Sequence, residues 1–170
     1  MVNNAGVLRK ETLANMSSEA FEVSMNVNVR SALLLTQASA KYLEESSIKA
    51  VVNVSSIAGL RAYLGALSYK ISKAAMDQMT RCTALELAPK GIRVNSVNPG
   101  VIETDIFHRS GMSEEEIAEY FKKCKTTHPI GRIGNPIEVA KCIAFLASPD
   151  SSFVIGQTLA VDGGRSIQCP

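Results

Sequence analysis

Tyr69 and Lys73 are the pair of residues best suited to chemistry. They lie four apart in a stretch of helical periodicity, so their side chains share one helix face. An ammonium group beside a phenol favours the phenolate, which brings a tyrosine toward use as a general acid or base near neutral pH. Taken alone, Tyr-x-x-x-Lys is a weak signal and reads far more readily as an amphipathic surface pair. Its surroundings change that reading. Ser56 lies thirteen residues before Tyr69, at the carboxyl end of the strand-like run that feeds the helix. Ligands of open α/β sheets bind at that edge, and a hydroxyl there can donate to a carbonyl oxygen as it gains negative charge. Asn28 sits inside a helical pattern, where asparagine is a poor helix former that competes for backbone hydrogen bonds. Asn26 shares that property, so a tolerated exposed polar residue is the competing reading for either.

A regular alternation of elements must position these groups. A long helix is predicted from about Ser18 to Glu45, with Ser17 or Ser18 as its N-cap and Glu19 and Glu22 at its start. Ala50 to Ser55 is short, apolar and β-branched, as a buried parallel strand should be. A helix from Leu67 to Ala88 stops at Pro89-Lys90-Gly91, and a strand from Ile92 to Val97 ends at Pro99-Gly100. Helices over Ser113 to Lys125 and Pro136 to Leu146 precede a last strand, Thr158 to Val161, closed by Asp162-Gly163-Gly164. Strands alternating with helices predict a doubly wound, Rossmann-like α/β fold with a parallel sheet and helices on both faces. On the helix bearing Tyr69, the stripe of Leu67, Ile71, Ala74 and Leu85 is expected to be covered by the sheet or by another subunit.

Composition narrows the function classes. Apolar residues make up 46% and charged residues 20% of the 170 residues, and the net charge of +2 is spread along the chain. Neither a nucleic-acid nor a membrane partner is expected from that balance. Cys82, Cys124, Cys142 and Cys169 form no close pair, and His108 and His128 are the only histidines, so no metal site is expected and reduced thiols in a cytoplasmic protein are the simpler reading. Tyr63 is set aside as an acid/base because its i+4 neighbour is Leu67. His108 and His128 are read as surface or loop residues, and Arg132 with Glu138 as a structural ion pair.

Taken together, Asn3-Asn4-Ala5-Gly6, Asn28 within Asn-Val-Asn, Ser56 after Val-Asn-Val-Ser, Tyr69-x-x-x-Lys73, Asn98-Pro99-Gly100 and the closing Gly156-Gln157-Thr158 to Asp162-Gly163-Gly164 resemble the short-chain dehydrogenase/reductase family in order and spacing. The look of Pro129-Ile-Gly-Arg-Ile-Gly is similar to 3-oxoacyl-carrier-protein reductases and to sugar or polyol dehydrogenases. The resemblance implies an oxidoreductase that interconverts a carbonyl and a secondary alcohol with NAD or NADP. Tyr69 would be the acid/base, Lys73 would lower its pKa and hold the nicotinamide ribose, and Ser56 would polarise the substrate oxygen. Asn28 would support a water linking Lys73 to solvent. Asn4, Ala5 and Gly6 would pass near the adenosine portion, while Pro99, Gly100, Ile102 and Thr104 would line the nicotinamide. The segment Glu103 to Ile133, with Ile106, Phe107, Met112, Ile117 and Phe121, would form an apolar lid. A homo-oligomer, dimer or tetramer, and a small carbonyl or alcohol substrate are implied as well.

The sequence departs from the family in one respect. No glycine-rich turn opening a phosphate-binding helix is found in it. Residues 1–170 are therefore expected to be the carboxyl-side part of one Rossmann-like domain, truncated at its N-terminal half by on the order of 80 residues. An exposed sheet edge, marginal stability and weak dinucleotide binding are the corresponding expectations. A second reading stays open, a non-catalytic truncated isoform that associates with full-length subunits through its two long helices.

Overall fold

Four parallel strands stand side by side in the order in which they occur along the chain. In the computed structural model, which describes residues 1–168, β1 (Val2–Asn3) pairs with β2 (Ala50–Val54), β2 with β3 (Arg93–Pro99), and β3 with β4 (Thr158–Val161). Cys169, read above as a thiol, and Pro170 lie outside the described residues; Cys82, Cys124 and Cys142 are free thiols. The near-continuous apolar sequence of β2 is what a strand covered on both faces requires. Val51 packs with Leu43, Ala84, Ile92 and Val94 on one face, and Val52 packs with Val97, Val139 and Leu146 on the other. The doubly wound arrangement follows directly. The first face is covered by α2 (Ser31–Glu45) and α3 (Leu67–Leu87), the second by α6 (Pro136–Ala147). Among the described residues no helix is long and apolar enough to cross a membrane.

The long helix predicted over Ser18 to Glu45 is continuous but not uniform. After α1 (Ser18–Met25), capped by the Ser17 side chain, the chain widens into a π-turn at Asn26–Arg30 before α2. A π-turn inserts an extra residue and turns a side chain off the regular helical face. Here it places Asn28 in the interior with no exposure, while Asn26 remains at the surface. The exposed reading of Asn28 is thereby excluded.

Of the two covers expected for the apolar stripe of α3, the sheet is not the one it meets. Leu85 is 79% exposed and Ile71 39%, so the stripe with Leu67 and Ala74 is not covered by the sheet. The interior side instead carries Ser68, Ser72, Lys73, Asp77 and Thr80 around Met76 and Ala84. The physical reason is that the sheet itself presents polar groups at this level. The Asn3 amide donates to Thr36 Oγ1 (3.1 Å) and Asn53 Oδ1 (2.8 Å), and the Asn53 amide donates to Thr80 Oγ1 (2.8 Å). This chain of partners joins α2, β1, β2 and α3 and leaves no buried side-chain polar atom unpaired among the described residues.

The start of α3 needs outside help. Ala66, its N-cap, has left-handed backbone (φ 53°) and offers no capping side chain. Glu11, from the loop after β1, supplies the missing acceptors. Its carbonyl accepts from Leu67 N (3.2 Å), and its carboxylate accepts from Ser68 N (3.1 Å) and from the Ser68 hydroxyl. A carboxylate there also complements the helix dipole. Glu11→Ala is expected to lower unfolding stability by about 1 kcal/mol, as loss of an N-cap does. Chemical denaturation checks this, and an unchanged midpoint would show that Glu11 does not cap α3.

Candidate active site

The carboxyl ends of β2 and β3 bring Ser55-Ser56 and Pro99-Gly100 to one edge of the sheet. Past β2 the chain makes a 3₁₀ turn, Ile57–Gly59, whose first N–H groups are capped by Ser56: Ala58 N donates to Ser56 Oγ at 3.1 Å. That turn lies hard against α3. A Cβ on Gly59 would stand 2.6 Å from Asp77 Oδ2 and 2.8 Å from the Lys73 carbonyl carbon. Only glycine permits so close an approach of turn and helix, and the approach delivers Ser56 to the first turns of α3.

Three side chains then meet. The Ser56 hydroxyl stands close enough to the Tyr69 phenol to favour its ionised form. Lys73 is 3% exposed, donates to the Val54 carbonyl at 2.8 Å, and has its ammonium 5.6 Å from the centre of the Tyr69 ring. Burial pushes the Tyr69 phenol up to about 12, and the Ser56 hydroxyl opposes that only in part. The phenol is thus raised rather than lowered in this state, contrary to the expectation from spacing, because desolvation dominates. Burial also brings Lys73 down to about 8, against the pull of the neighbouring Asp77 carboxylate, which raises it.

Asn28 stands behind this trio. Its Oδ1 accepts from Val7 N (2.8 Å), and its amide donates to the Val7 carbonyl (3.0 Å) and to Ser72 Oγ (2.9 Å). Both backbone groups of Val7 are thus clamped, which holds the preceding Gly6 beside Lys73; a Cβ there would sit 3.6 Å from Nζ. One turn further along the same face of α3, Asp77 is 2% exposed and accepts from the Asn98 amide through both oxygens (3.1 and 2.9 Å). Asn98 also donates to the Ser56 carbonyl (3.0 Å), so β3, the Ser56 turn and α3 share one polar junction.

These elements enclose a cavity of about 960 Å³. Ser56, Tyr69 and Lys73 line it, as do Asn4, Gly6, Pro99, Gly100, Ile102 and Thr104. Asn28 lies behind the wall, and Ala5 is exposed without lining the cavity. Ile106 and Phe107 of α4 (Ile106–Arg109) and Met112 form its apolar side; behind them Ile117 and Phe121 of α5 (Glu114–Thr127) pack with Phe107. Lys73 uses one of its three N–H groups on Val54, which leaves donors for a ligand in the cavity.

Several residues were not legible as parts of this site. Tyr63, set aside as an acid/base, lines the cavity, and so do Tyr120 and Arg165, which carried no motif. The reading of His128 as a surface or loop residue needs correction. It is 3% exposed at the end of α5, with Nδ1 against the Cys124 carbonyl (2.6 Å) and Nε2 accepting from Val101 N (3.4 Å). Burial lowers its pKa, and the ring ties the end of α5 to the segment just past β3. His108 is at the surface, 3.4 Å from Glu114. Arg132 and Glu138 form the expected ion pair at 2.7 Å.

Comparison with known proteins supports the fold and places the chain among its relatives. A family profile described as enoyl-(acyl carrier protein) reductase matches residues 1–166. The 3-oxoacyl-(acyl-carrier-protein) reductase of Thermotoga maritima is 40% identical over 98% of this chain and 65% of its own length. The L-xylulose reductase of Caenorhabditis elegans is 38% identical over 98% of the chain and 65% of its own length. A crystal structure of a short-chain dehydrogenase/reductase of unknown function from Caenorhabditis elegans, with cofactor, superposes with a TM-score of 0.92 at 35% identity, covering 99% of this chain and 65% of that one. The chain thus spans about two thirds of the length of the proteins it resembles, just under that fraction in each.

The tight seat of the Ser56 turn gives a direct expectation. Gly59→Ala forces the turn away from α3 and should cost about 1–3 kcal/mol of stability, the range for overpacking. Equilibrium unfolding of the variant reads this, and a cost below about 0.5 kcal/mol, the size of an ordinary surface change, would contradict the close approach.

Proposed function

Because the chain belongs to the short-chain dehydrogenase/reductase family, we propose that it carries the proton-transfer half of an oxidoreductase that interconverts a carbonyl and a secondary alcohol with NAD or NADP. The observation that carries this reading is the convergence of Ser56, Tyr69 and Lys73 on one cavity wall. Lys73, with N–H groups to spare, would hold the ribose hydroxyls. Pro99, Gly100, Ile102 and Thr104 would face the nicotinamide, with Thr104 as the partner of the ring's carboxamide, and Asn4 to Gly6 would lie toward the adenosine side. Bound there, the nicotinamide supplies or accepts the hydride.

The residues of the chain handle the proton and the developing charge. The Ser56 hydroxyl, whose oxygen accepts from Ala58 N, would turn its proton from the Tyr69 phenol to the substrate oxygen. Tyr69, a neutral phenol below about 12, is in the correct form to give its proton to that oxygen during reduction. The Lys73 ammonium offsets the charge left on the phenolate. Asn28 holds Gly6 and Val7 where a water linking Lys73 to solvent would bind. The rival reading, a non-catalytic chain that pairs with full-length subunits, has no need of this intact set. A cytoplasmic homo-oligomer is part of the same proposal, supported by exposed Leu34, Leu35 and Tyr42 on α2 and Leu85 on α3.

Tyr69→Phe removes the transferable proton and keeps the ring. In the intact natural protein it should lower carbonyl reduction by about 10²–10⁴-fold with thermal unfolding unchanged; retained activity would sink the assignment. Charge on Lys73 is required in the reductive direction and is lost as pH rises through about 8. Reductive kcat/KM should therefore fall along an alkaline limb near that pH. Asp77 raises the Lys73 pKa, so Asp77→Asn should move the limb to lower pH; a limb that stays in place would contradict the coupling.

A further inference from the structure

One part of the cavity wall takes no part in the proton transfer. The turn after β4 is fixed by Asp162, whose carboxylate accepts from Gly164 N (3.0 Å) and Ser166 N (2.6 Å). Gly163 and Gly164 adopt left-handed backbone (φ 60° and 86°) and pack closely on Ile130 and Pro129. Arg61 reaches across to donate to the Arg165 carbonyl at 2.6 Å. The backbone of Arg165 is therefore held from several directions, and its partly buried side chain lines the cavity together with Tyr63 and Tyr120.

Among the described residues the guanidinium has no anion. Among the described residues the ion pairs do not include Arg165, and the one hydrogen bond from its side chain runs from Nη1 to Cys124 Sγ at 3.3 Å. A thiol is a weak acceptor. The nearest acid in the chain, Asp162, is engaged by backbone N–H groups. A partly desolvated cation without a counter-charge is costly, and the planar guanidinium fork matches a carboxylate through two parallel hydrogen bonds. The Tyr63 and Tyr120 phenols lie within its field, which acts on both against the larger effect of burial. They supply further donors at the same place. Leu8, Ile106, Phe107 and Met112 give the same cavity an apolar lining.

We infer that the substrate carries a carboxylate, which Arg165 binds, joined through an apolar spacer to the carbonyl held at Ser56 and Tyr69. The inference rests on the carbonyl–alcohol reading of the site and names the substrate class for it. A straight-chain ketone sealed by an ester would fill the apolar wall equally well but would leave the guanidinium unpaired.

The test uses the intact natural protein, straight-chain keto acids from 3-oxobutanoate to 6-oxoheptanoate, and their methyl esters. Reduction is followed by nicotinamide absorbance, and binding of the same acids is measured separately by calorimetry. At least one acid should exceed its ester in kcat/KM. Arg165→Leu should lower the value for that acid by about 10- to 100-fold, the range of a charge-assisted hydrogen bond, and the ester's by less than about threefold. Arg165→Lys should recover part of the loss. Esters reduced at least as well as every acid, or equal losses for acid and ester in Arg165→Leu, would overturn the subsite while leaving the chemistry at Tyr69 standing. Acids that bind in an Arg165-dependent way without being reduced would support the subsite and count against the carbonyl reading. Acids that neither bind nor turn over would overturn the subsite.

Discussion

An ammonium that is 3% exposed is costly to bury, and most of the architecture around the sheet edge can be understood as meeting that cost at Lys73. The Val54 carbonyl takes one of its protons directly. Asp77, one helical turn further along α3, provides the counter-charge and is itself kept in place by Asn98 and Ser96. Remove the sheet's carboxyl edge and Lys73 loses its acceptor; remove Asp77 and it loses its nearest charge. Burial brings the Lys73 pKa down to about 8 against the pull of Asp77, close enough to neutrality for the charge to matter and high enough for it to be present.

The remaining site follows from holding α3 in register with that edge. Glu11 fixes the first turn of the helix, and Gly59 lets the Ser56 turn rest on it. The π-turn at Asn26–Arg30 turns Asn28 inward to clamp Val7 and bond Ser72. The Glu11 and Asn28 contacts are polar and satisfied, which makes the arrangement specific in a way an apolar contact would not be. It also explains why α3 lays a polar face on the sheet. A helix that only had to fill a core would have turned Ile71 and Leu85 inward.

Much of this was legible in the residues. The alternation of β-branched runs with helical periodicity identified three of the four strands and the main helices to within a residue or two, and the doubly wound sheet followed. Two-residue β1 was too short to carry a periodic signal. Ser56, Tyr69 and Lys73 could be grouped because strand end and helix start fix their relation. What local pattern could not supply was long-range burial. The orientation of α3 depended on asparagines of β1 and β2 distant in the chain. His128 looked like a loop residue because nothing nearby announced that Val101 and Cys124 would enclose it. Arg165 and Tyr63, about a hundred residues apart, meet only in the folded chain. The pKa of Tyr69 turned on desolvation, which a spacing of four residues does not reveal.

The most direct test of this account is a crystal structure of the intact natural protein with oxidised nicotinamide cofactor and an unreactive carbonyl analogue. The account predicts Ser56 Oγ and Tyr69 Oη both within hydrogen-bond distance of the analogue's oxygen, and Lys73 Nζ on the ribose hydroxyls. A nicotinamide seated away from Lys73, or a carbonyl oxygen bound by neither hydroxyl, would contradict it.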